Sequence, residues 1–291
     1  MIIVVCGPTG VGKTKLSVML AKKYNGIIIN SDAVQVYKNM DIASAKVTEE
    51  EKEGIKHYLL DICSVDENYT IYDYQKDARK IIDDNKDKTI IMVGGSGLYQ
   101  KAALYDYKLD LESSPSDDFE DLSNEELYSM ALKKDPEMNI HQNNRKRLIR
   151  FLNKTNTVNE KSKLLYKDVI FIGLTTSREK LYDIINKRVD KMVENGLIEE
   201  ARYFYQKDHN LKSLKTVIGY KELFKYFDGE ISKEEALDLI KKNSRHYAKR
   251  QYTWFNHQVP TIWVETNYDN FNKTFDEVVN IIEKRTNQNI D

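Results

Sequence analysis

An octapeptide near the start of the chain, GPTGVGKT, has the residue types and spacing of a phosphate-binding loop. It fits the pattern G-x-x-x-x-G-K-[ST], in which glycines let backbone N–H groups converge on phosphate oxygens. The lysine adds a positive charge, and the final hydroxyl is a ligand that Mg²⁺ accepts. The predicted phosphate-binding residues are Gly7, Pro8, Thr9, Gly10, Val11, Gly12, Lys13 and Thr14, with Thr14 as the metal ligand.

This loop alone does not establish nucleotide hydrolysis. Hydrolases that carry it usually place an acid at the end of a neighbouring apolar strand, where it helps to hold Mg²⁺. The best such strand here, at 89–93, runs into Gly94 and Gly95. Asp61 follows a shorter apolar segment and can be either a metal-linked acid or a structural polar residue. The loop therefore predicts a phosphorylated ligand whose chemistry comes from other residues.

A carboxylate follows the second apolar run, at Asp32 in the segment NSDAVQVY. Ligands of open α/β sheets bind outside the carboxyl ends of the strands. If the second strand neighbours the first, Asp32 faces the phosphate loop and can act as a general base or a metal ligand. The alternative is that Asp32 caps a turn or a helix, which is common for aspartate after a strand.

Apolar runs alternate with helical patterns, and these elements must position the loop and the carboxylate. The runs predict buried strands at 2–6, 27–30, 89–93, 168–175 and 261–265. A loop with a short helix is expected at 31–46, and the chain after 178 is mostly helical. The predicted fold class is therefore α/β, a P-loop NTPase-like parallel sheet flanked by helices.

The pattern changes at 106–122, which is acidic and poor in apolar residues. Such a segment predicts an exposed linker, and two helical segments follow it. We therefore expect a P-loop core domain formed by 1–105 and 166–291, with a helical insertion domain at 106–165.

Composition limits the classes of function. The chain has 291 residues and a formal net charge of −1, which argues against a generally basic surface but allows a local basic groove. Cys6 and Cys63 form no CxxC pair, which favours a reducing cytoplasm. No run approaches the length of a membrane span, so no membrane association is expected.

Six segments in order resemble the tRNA dimethylallyltransferase family, over nearly the whole chain. They are GPTGVGKT, NSDAVQVYKNMDIASAK, VGGSGLY, REKLYDIINKRVDKMVENGLIEEA, VIGYKE and AKRQYTWF. The resemblance implies transfer of a dimethylallyl group from dimethylallyl diphosphate to N6 of adenosine 37 in tRNA, with release of diphosphate. It also implies a bacterial form, since the chain lacks zinc-finger cysteines.

The resemblance assigns roles to four residues. Asp32 is the implied general base that accepts the N6 proton. Lys13 and Thr14, with Mg²⁺, are implied to stabilise the leaving diphosphate, and Arg188 is implied to contact it. From the residues alone, Arg188 lies in a helix dense in charges, where surface ion pairing is the usual alternative.

The insertion is implied to contact the tRNA anticodon arm. The implied tRNA contacts are Asp32, Ala33, Val34, Gln35, Ser96, Lys146, Arg147, Arg150, Gly219, Tyr220, Lys249, Arg250 and Gln251. Several fall in two basic segments, and in the second of these Lys242, Arg245 and Lys249 form a helical stripe that can neutralise phosphates. The Gln35 amide suits an adenine edge.

Two other functions stay open: prenyl transfer to a free adenine nucleotide, and a P-loop kinase. A free nucleotide needs no long basic surface, and a kinase needs the acid that is missing after 89–93. We expect the enzyme to act as a monomer.

Overall fold

The computed structural model describes residues 1–107, 119, 121–153 and 163–288. Most of the acidic segment predicted as a linker at 106–122 lies outside these residues. The chain divides into two compact units, Met1–Tyr105 with Leu164–Asp291, and Asp106–Lys163.

Isoleucine- and valine-rich runs form the strands of the first unit. They are β1 (Ile2–Cys6), β2 (Ile27–Asn30), β3 (His57–Tyr58), β4 (Ile90–Val93), β5 (Val169–Thr175) and β6 (Thr261–Glu265). Within the described chain these six strands make one sheet, in the order β3-β2-β4-β1-β5-β6, and every neighbouring pair is parallel. Continuous apolar strands are expected where helices cover both faces of a sheet. The predicted α/β fold is confirmed.

The second strand does not neighbour the first. β4 lies between β2 and β1, with Ile90 opposite both Ile27 and Ile2. The condition under which Asp32 was expected to face the phosphate loop is therefore not met. The position of Asp32 depends instead on the segment that connects β2 to β3.

The helices of the first unit are α1 (Lys13–Lys23), α2 (Glu49–Lys52), α3 (Ile71–Asp84), α4 (Gly97–Leu104), α7 (Arg178–Glu194), α8 (Leu197–Asp208), α9 (Lys212–Lys215), α10 (Tyr220–Phe227), α11 (Lys233–Gln258) and α12 (Phe271–Gln288). The short helix predicted within 31–46 is wrong, because that segment forms turns instead. In the described part of the chain, no helix has the length and apolar character needed to cross a bilayer.

Two apolar clusters fix the elements around the site. One joins β1, α1 and β5 through residues such as Val5, Leu16 and Ile172. The other packs α7, α8, α10 and α11 around Met40, so it holds the 31–46 segment against these helices. Burial of such side chains contributes about 1.5–3 kcal/mol each, which is why an irregular segment can have one conformation.

The second unit contains α5 (Asn124–Lys134) and α6 (Arg145–Asn153). Leu127, Ala131 and Leu148 form its buried core. Arg145 belongs to the basic run of α6, but its guanidinium donates to the carbonyls of Leu122, at 2.5 Å, and Phe119, at 2.9 Å. This arginine therefore stabilises the unit from within.

Candidate active site

The phosphate loop follows β1, and its glycines are required by the backbone. Gly12 has φ of 91° and precedes the first residue of α1. Gly7 has φ of 122°, and a Cβ there would lie 2.5 Å from the Leu174 carbonyl oxygen. Both values lie in the left-handed region that side chains disfavour, so the loop conformation depends on glycine. The loop then leads into the N-terminus of α1, where backbone N–H groups favour anions.

Lys13 lies partly buried at the start of α1, and its ammonium donates to the Pro8 carbonyl at 2.6 Å. The pKa of Lys13 is lowered to about 8, mainly by burial and then by the nearby Arg188 guanidinium, while the Asp32 carboxylate acts in the opposite direction. Because the Arg188 charge disfavours the charged form of Lys13, an anion bound beside both cations would relieve that repulsion.

Arg188 projects from α7 into this site. The side chain is half-buried, and burial lowers its pKa, against the opposing effects of the Asp32 and Glu51 carboxylates. A surface ion pair was the alternative considered for Arg188. In the structure its neighbour Lys187 makes such a pair, with Asp183 at 2.8 Å.

Asp32 forms an Asx-turn and also lines the same cavity. Its Oδ1 accepts the Val34 N–H at 2.9 Å, and its own N–H donates to Asn30 Oδ1 at 3.1 Å. The capping role considered from sequence is therefore present. The carboxylate still lies close enough to Lys13 and Arg188 to oppose the lowering of their pKa values.

Ser96 holds the turn that carries Asp32. The Ala33 N–H donates to Ser96 Oγ at 3.1 Å, and the Ser96 N–H donates to the Ser31 carbonyl at 3.1 Å. Gln100 Nε2 donates to Ser31 Oγ at 2.9 Å. The loop after β4 thus fixes the loop after β2, although the two are far apart in sequence.

The glycine pair after β4 explains why an acid is missing there. A Cβ on Gly94 would lie 2.3 Å from the Ser31 backbone, and one on Gly95 would lie 2.0 Å from Gln251 Nε2. A side chain at Gly94 would meet backbone, and one at Gly95 would have to displace the buried Gln251 amide. Asp61, the remaining acid considered from sequence, is bound to Lys46 at 2.5 Å and does not line the cavity.

Gln251 is a loop clamp in this structure. It is 5% exposed on α11, its Oε1 accepts the Thr9 N–H at 3.2 Å, and its Nε2 donates to the Gly95 carbonyl at 3.1 Å. The side-chain amide thereby joins the phosphate loop to the loop after β4. Gln251 also lines the cavity, so its expected contact with tRNA stays a prediction.

Two further residues expected near tRNA have side-chain partners within the protein. Tyr220 is fully buried, and its hydroxyl donates to Glu200 at 2.7 Å, so its side chain cannot reach an RNA surface in this conformation. Gly219, which precedes it, is also buried but lines the cavity. Arg245 donates to Asn186 at 2.6 Å. A guanidinium has five N–H donors, so the phosphate-binding stripe stays a prediction.

The other predicted basic contacts are exposed. Lys249 and Arg250 lie on the exposed side of α11 in the first unit. Lys146, Arg147 and Arg150 lie on the exposed side of α6 in the second unit. Each set is available to solvent on its own unit.

The first unit contains a cavity of about 610 Å³ where these loops meet. Its polar lining includes Thr9, Lys13, Thr14, Asp32, Gln35 and Arg188. Its apolar lining includes Val34, Ile185, Val189, Met192, Val217 and Ile240. A phosphate cradle, a carboxylate and an apolar wall thus face one space.

Tyr247 is a residue of this cavity that sequence reasoning missed. It is half-buried on α11, and burial, followed by the Asp32 charge, raises its pKa to about 12. Its hydroxyl bonds to Ser96 and Gln251, the two residues that fix the loops. The available signal in the sequence was spacing: Tyr247 lies one helical turn from Gln251 on the same basic helix, so both side chains fall on one face.

The chain is similar to proteins named tRNA dimethylallyltransferase. It is 44% identical over 300 residues to the one from Anoxybacillus flavithermus, which covers 97% of this chain and 96% of that protein. It is 45% identical over 282 residues to the one from Enterococcus faecalis, with 90% of each chain covered.

Solved structures give the same result. The tRNA isopentenylpyrophosphate transferase from Bacillus halodurans superposes with a TM-score of 0.78 at 37% identity, covering 100% of this chain and 99% of that one. A eukaryotic dimethylallyltransferase acting on tRNA gives 0.75 at 27% identity, covering 90% and 73%. A sequence profile described as IPP transferase matches residues 35–258. The chain therefore belongs to the IPP transferase family.

Proposed function

We propose that this protein transfers a dimethylallyl group from dimethylallyl diphosphate to N6 of adenosine 37 in tRNA and releases diphosphate. The observation that carries the proposal is the cavity in which the phosphate loop, the Asp32 carboxylate and an apolar wall face one another. A phosphate loop alone is shared with kinases, whereas an apolar wall beside it suits a five-carbon prenyl chain.

The diphosphate binds to the loop at 7–14, with Lys13 and Arg188 as its cationic partners. Negative charge grows on the leaving oxygen as the C1–O bond breaks. Fixed N–H groups and cations at that oxygen stabilise the transition state more than the ground state, so they raise the rate.

The residues present fit Mg²⁺ beside the diphosphate. The Thr14 hydroxyl lines the cavity beside the phosphate loop and is an oxygen donor of the kind this ion prefers. In the described residues no three His, Cys, Asp or Glu side chains cluster as metal ligands, so the substrate oxygens would complete the coordination. When bound, Mg²⁺ supplies further positive charge to the leaving group.

Asp32 accepts the proton that N6 loses as its new bond to C1 forms. An aromatic amine is a weak nucleophile, and an oriented carboxylate makes its attack easier. The Asx-turn and the Ser96 bond to the same turn hold the carboxylate in place. The apolar residues of α7, including Ile185, Val189 and Met192, line the space for the prenyl chain and exclude water.

The adenosine reaches the cavity by leaving the base stack of the anticodon loop. Lys249 and Arg250 on the first unit, and Lys146, Arg147 and Arg150 on the second, bind RNA phosphates. Asp32, Val34, Gln35 and Gly219 line the part of the cavity proposed for the adenosine, and Ser96 holds the turn that carries Asp32. We further propose a monomer acting in the cytoplasm, which light scattering of the purified protein and fractionation of cells would test.

Incubation with labelled dimethylallyl diphosphate, Mg²⁺ and either unmodified tRNA or AMP tests the function. We expect label in tRNA, at adenosine 37, and none in AMP. Label in AMP alone would establish the free-nucleotide reaction instead. ATP hydrolysis or phosphoryl transfer without prenyl transfer would establish the kinase alternative.

A further inference from the structure

The Glu200 carboxylate organises a loop that lies on another part of the chain. Glu200 lies on α8, and its two oxygens accept the N–H groups of Asp41 at 2.9 Å, Ile42 at 2.8 Å and Ala43 at 2.9 Å. The Tyr220 hydroxyl donates to the same carboxylate at 2.7 Å. Four donors on one ionised group form a strong anchor, because hydrogen bonds to charged groups are about twice as strong as neutral ones.

The anchored loop forms part of the cavity. Ala43, Ser44 and Ala45 line the cavity, and the loop contains neither helix nor strand. Ala45 has φ of 45°, a left-handed conformation that a non-glycine residue adopts only when its surroundings hold it. The shape of this wall therefore depends on the bonds that Glu200 makes.

The loop in turn fixes the orientation of Gln35. Gln35 Nε2 donates to the Ser44 carbonyl at 3.1 Å and to the Ala45 carbonyl at 3.3 Å. These two acceptors fix which end of the amide is nitrogen, and they use both of its hydrogens. Gln35 lines the cavity, and because its nitrogen is bound to the two loop carbonyls, the oxygen is the end of the amide that can meet a ligand.

An amide fixed in this way can only accept a hydrogen bond from a ligand. The bidentate contact of glutamine with an adenine edge, which needs a donated N–H as well, is therefore not available to Gln35. An acceptor still discriminates between purines, because position 6 carries a donating amino group in adenine and an accepting oxygen in guanine or hypoxanthine.

We propose that Glu200 is a positioning residue for purine selection. It holds the loop at 41–45, whose carbonyls keep the Gln35 oxygen turned to the ligand, where it accepts one N6–H while Asp32 takes the other. This inference rests on the proposed function, since it concerns the adenosine side of the same cavity.

The test uses anticodon stem-loops with adenosine or inosine at position 37. The adenosine form is the substrate, and the inosine form is a competitive inhibitor that cannot accept the prenyl group. We compare wild type with Glu200→Ala, Glu200→Gln and Gln35→Leu, and use Glu199→Gln as the matched control, since Glu199 is the exposed neighbour on the same helix. Thermal unfolding of every variant reports on folding.

For Glu200→Ala we expect KM for the adenosine stem-loop to rise roughly tenfold, the equivalent of one lost hydrogen bond. The preference for adenosine over inosine should fall by a similar factor, and Gln35→Leu should behave alike. Since the phosphate loop is elsewhere, KM for dimethylallyl diphosphate should stay within about twofold. Glu200→Gln, which keeps one accepting oxygen, should lie between wild type and Glu200→Ala.

The outcomes separate the two proposals. A wild-type protein that prenylates no stem-loop refutes the proposed function and, with it, this inference. An active wild type whose adenosine preference survives in both Glu200 variants refutes the inference alone. A variant that merely folds less well would lower kcat and the unfolding midpoint and leave the preference unchanged, which also counts against the inference.

Discussion

Asp32 combines a structural bond with the proposed proton transfer, and two substitutions can separate them. Asparagine keeps an oxygen for the Val34 N–H but cannot accept a proton, whereas alanine removes both functions. We expect Asp32→Asn to lower kcat roughly 10²- to 10⁴-fold with an unchanged unfolding midpoint. Asp32→Ala should also lose about 1 kcal/mol of stability. Prenyl-transfer assays and thermal unfolding measure these effects.

Affinity for dimethylallyl diphosphate should survive in both Asp32 variants, because Lys13 and Arg188 remain. Turnover of Asp32→Asn near the wild-type rate would show that the proton leaves N6 by another route.

The depressed pKa of Lys13, about 8, predicts a pH dependence of diphosphate binding. Below pH 8 the free enzyme carries the charged amine, and a bound anion raises the pKa of that amine. Above pH 8 the free enzyme loses the proton, so binding must recover it and the affinity falls as pH rises. Titration calorimetry with inorganic diphosphate from pH 7 to about 9.5 measures this fall.

Lys13→Arg is the control for this titration, because a guanidinium stays charged through the same range. Its remaining pH dependence reports the ionisation of the ligand itself. Wild-type and Lys13→Arg curves of the same slope would contradict the assignment of the fall to Lys13.

At the scale of elements, the contact between Gly95 and Gln251 ties α11 to the loop after β4. Gly95→Ala should destabilise the protein by about 1–3 kcal/mol, because the added methyl group meets the Gln251 amide. Gln251→Ala removes that obstacle. The double variant should therefore be more stable than the sum of the two single changes predicts, as urea unfolding can measure.

The matched comparison is Gly94→Ala combined with Gln251→Ala. The Gly94 methyl group meets the Ser31 backbone instead, so its loss of stability should simply add to that of Gln251→Ala. Additive behaviour of the Gly95 pair as well would show that the two residues do not interact.

The sequence predicted the individual strands and helices better than the order of the strands in the sheet. Apolar runs and helical spacing indicated β1, β2, β4, β5, β6 and most helices, because these patterns are local. The insertion of β4 between β1 and β2 depends on pairing between distant segments, which no local pattern records. The short helices α2 and α9 were not predicted either, because four residues are too few for a periodic pattern.

The residues of the site also divide into those that a local sequence pattern predicts and those whose roles depend on long-range contacts. The phosphate loop was predictable because its chemistry is contained in eight consecutive residues, and Asp32 because it follows a strand. The roles of Gln251, Tyr247 and Glu200 come from contacts across the fold, which spacing along the chain does not reveal. The burial of Tyr220 was not predicted for the same reason, since composition does not distinguish a buried polar side chain from an exposed one.

At the scale of the whole molecule, the net charge of −1 means that the proposed RNA binding must depend on local basic surfaces. Lys249→Ala and Lys146→Ala should each weaken tRNA binding uniformly across sequences. Each should also reduce the slope of log affinity against log salt by about one, because one released counterion is lost. Filter binding at several salt concentrations measures the slope.

Lys284→Ala serves as the comparison, because Lys284 is equally exposed but lies on α12, outside the predicted contacts. It should leave the slope unchanged. Equal losses for all three variants would indicate a diffuse attraction without the two proposed surfaces.

The clamp on the phosphate loop has a consequence for synthesis on the ribosome. Thr9 is bound by Gln251, 242 positions later, and Val11 accepts a hydrogen bond from the Thr266 hydroxyl, 255 positions later. A nascent chain therefore emerges with its phosphate loop unsupported, and the loop gains both hydrogen bonds only after Gln251 and Thr266 have left the exit tunnel. Prematurely terminated products should thus be unable to sequester the prenyl donor.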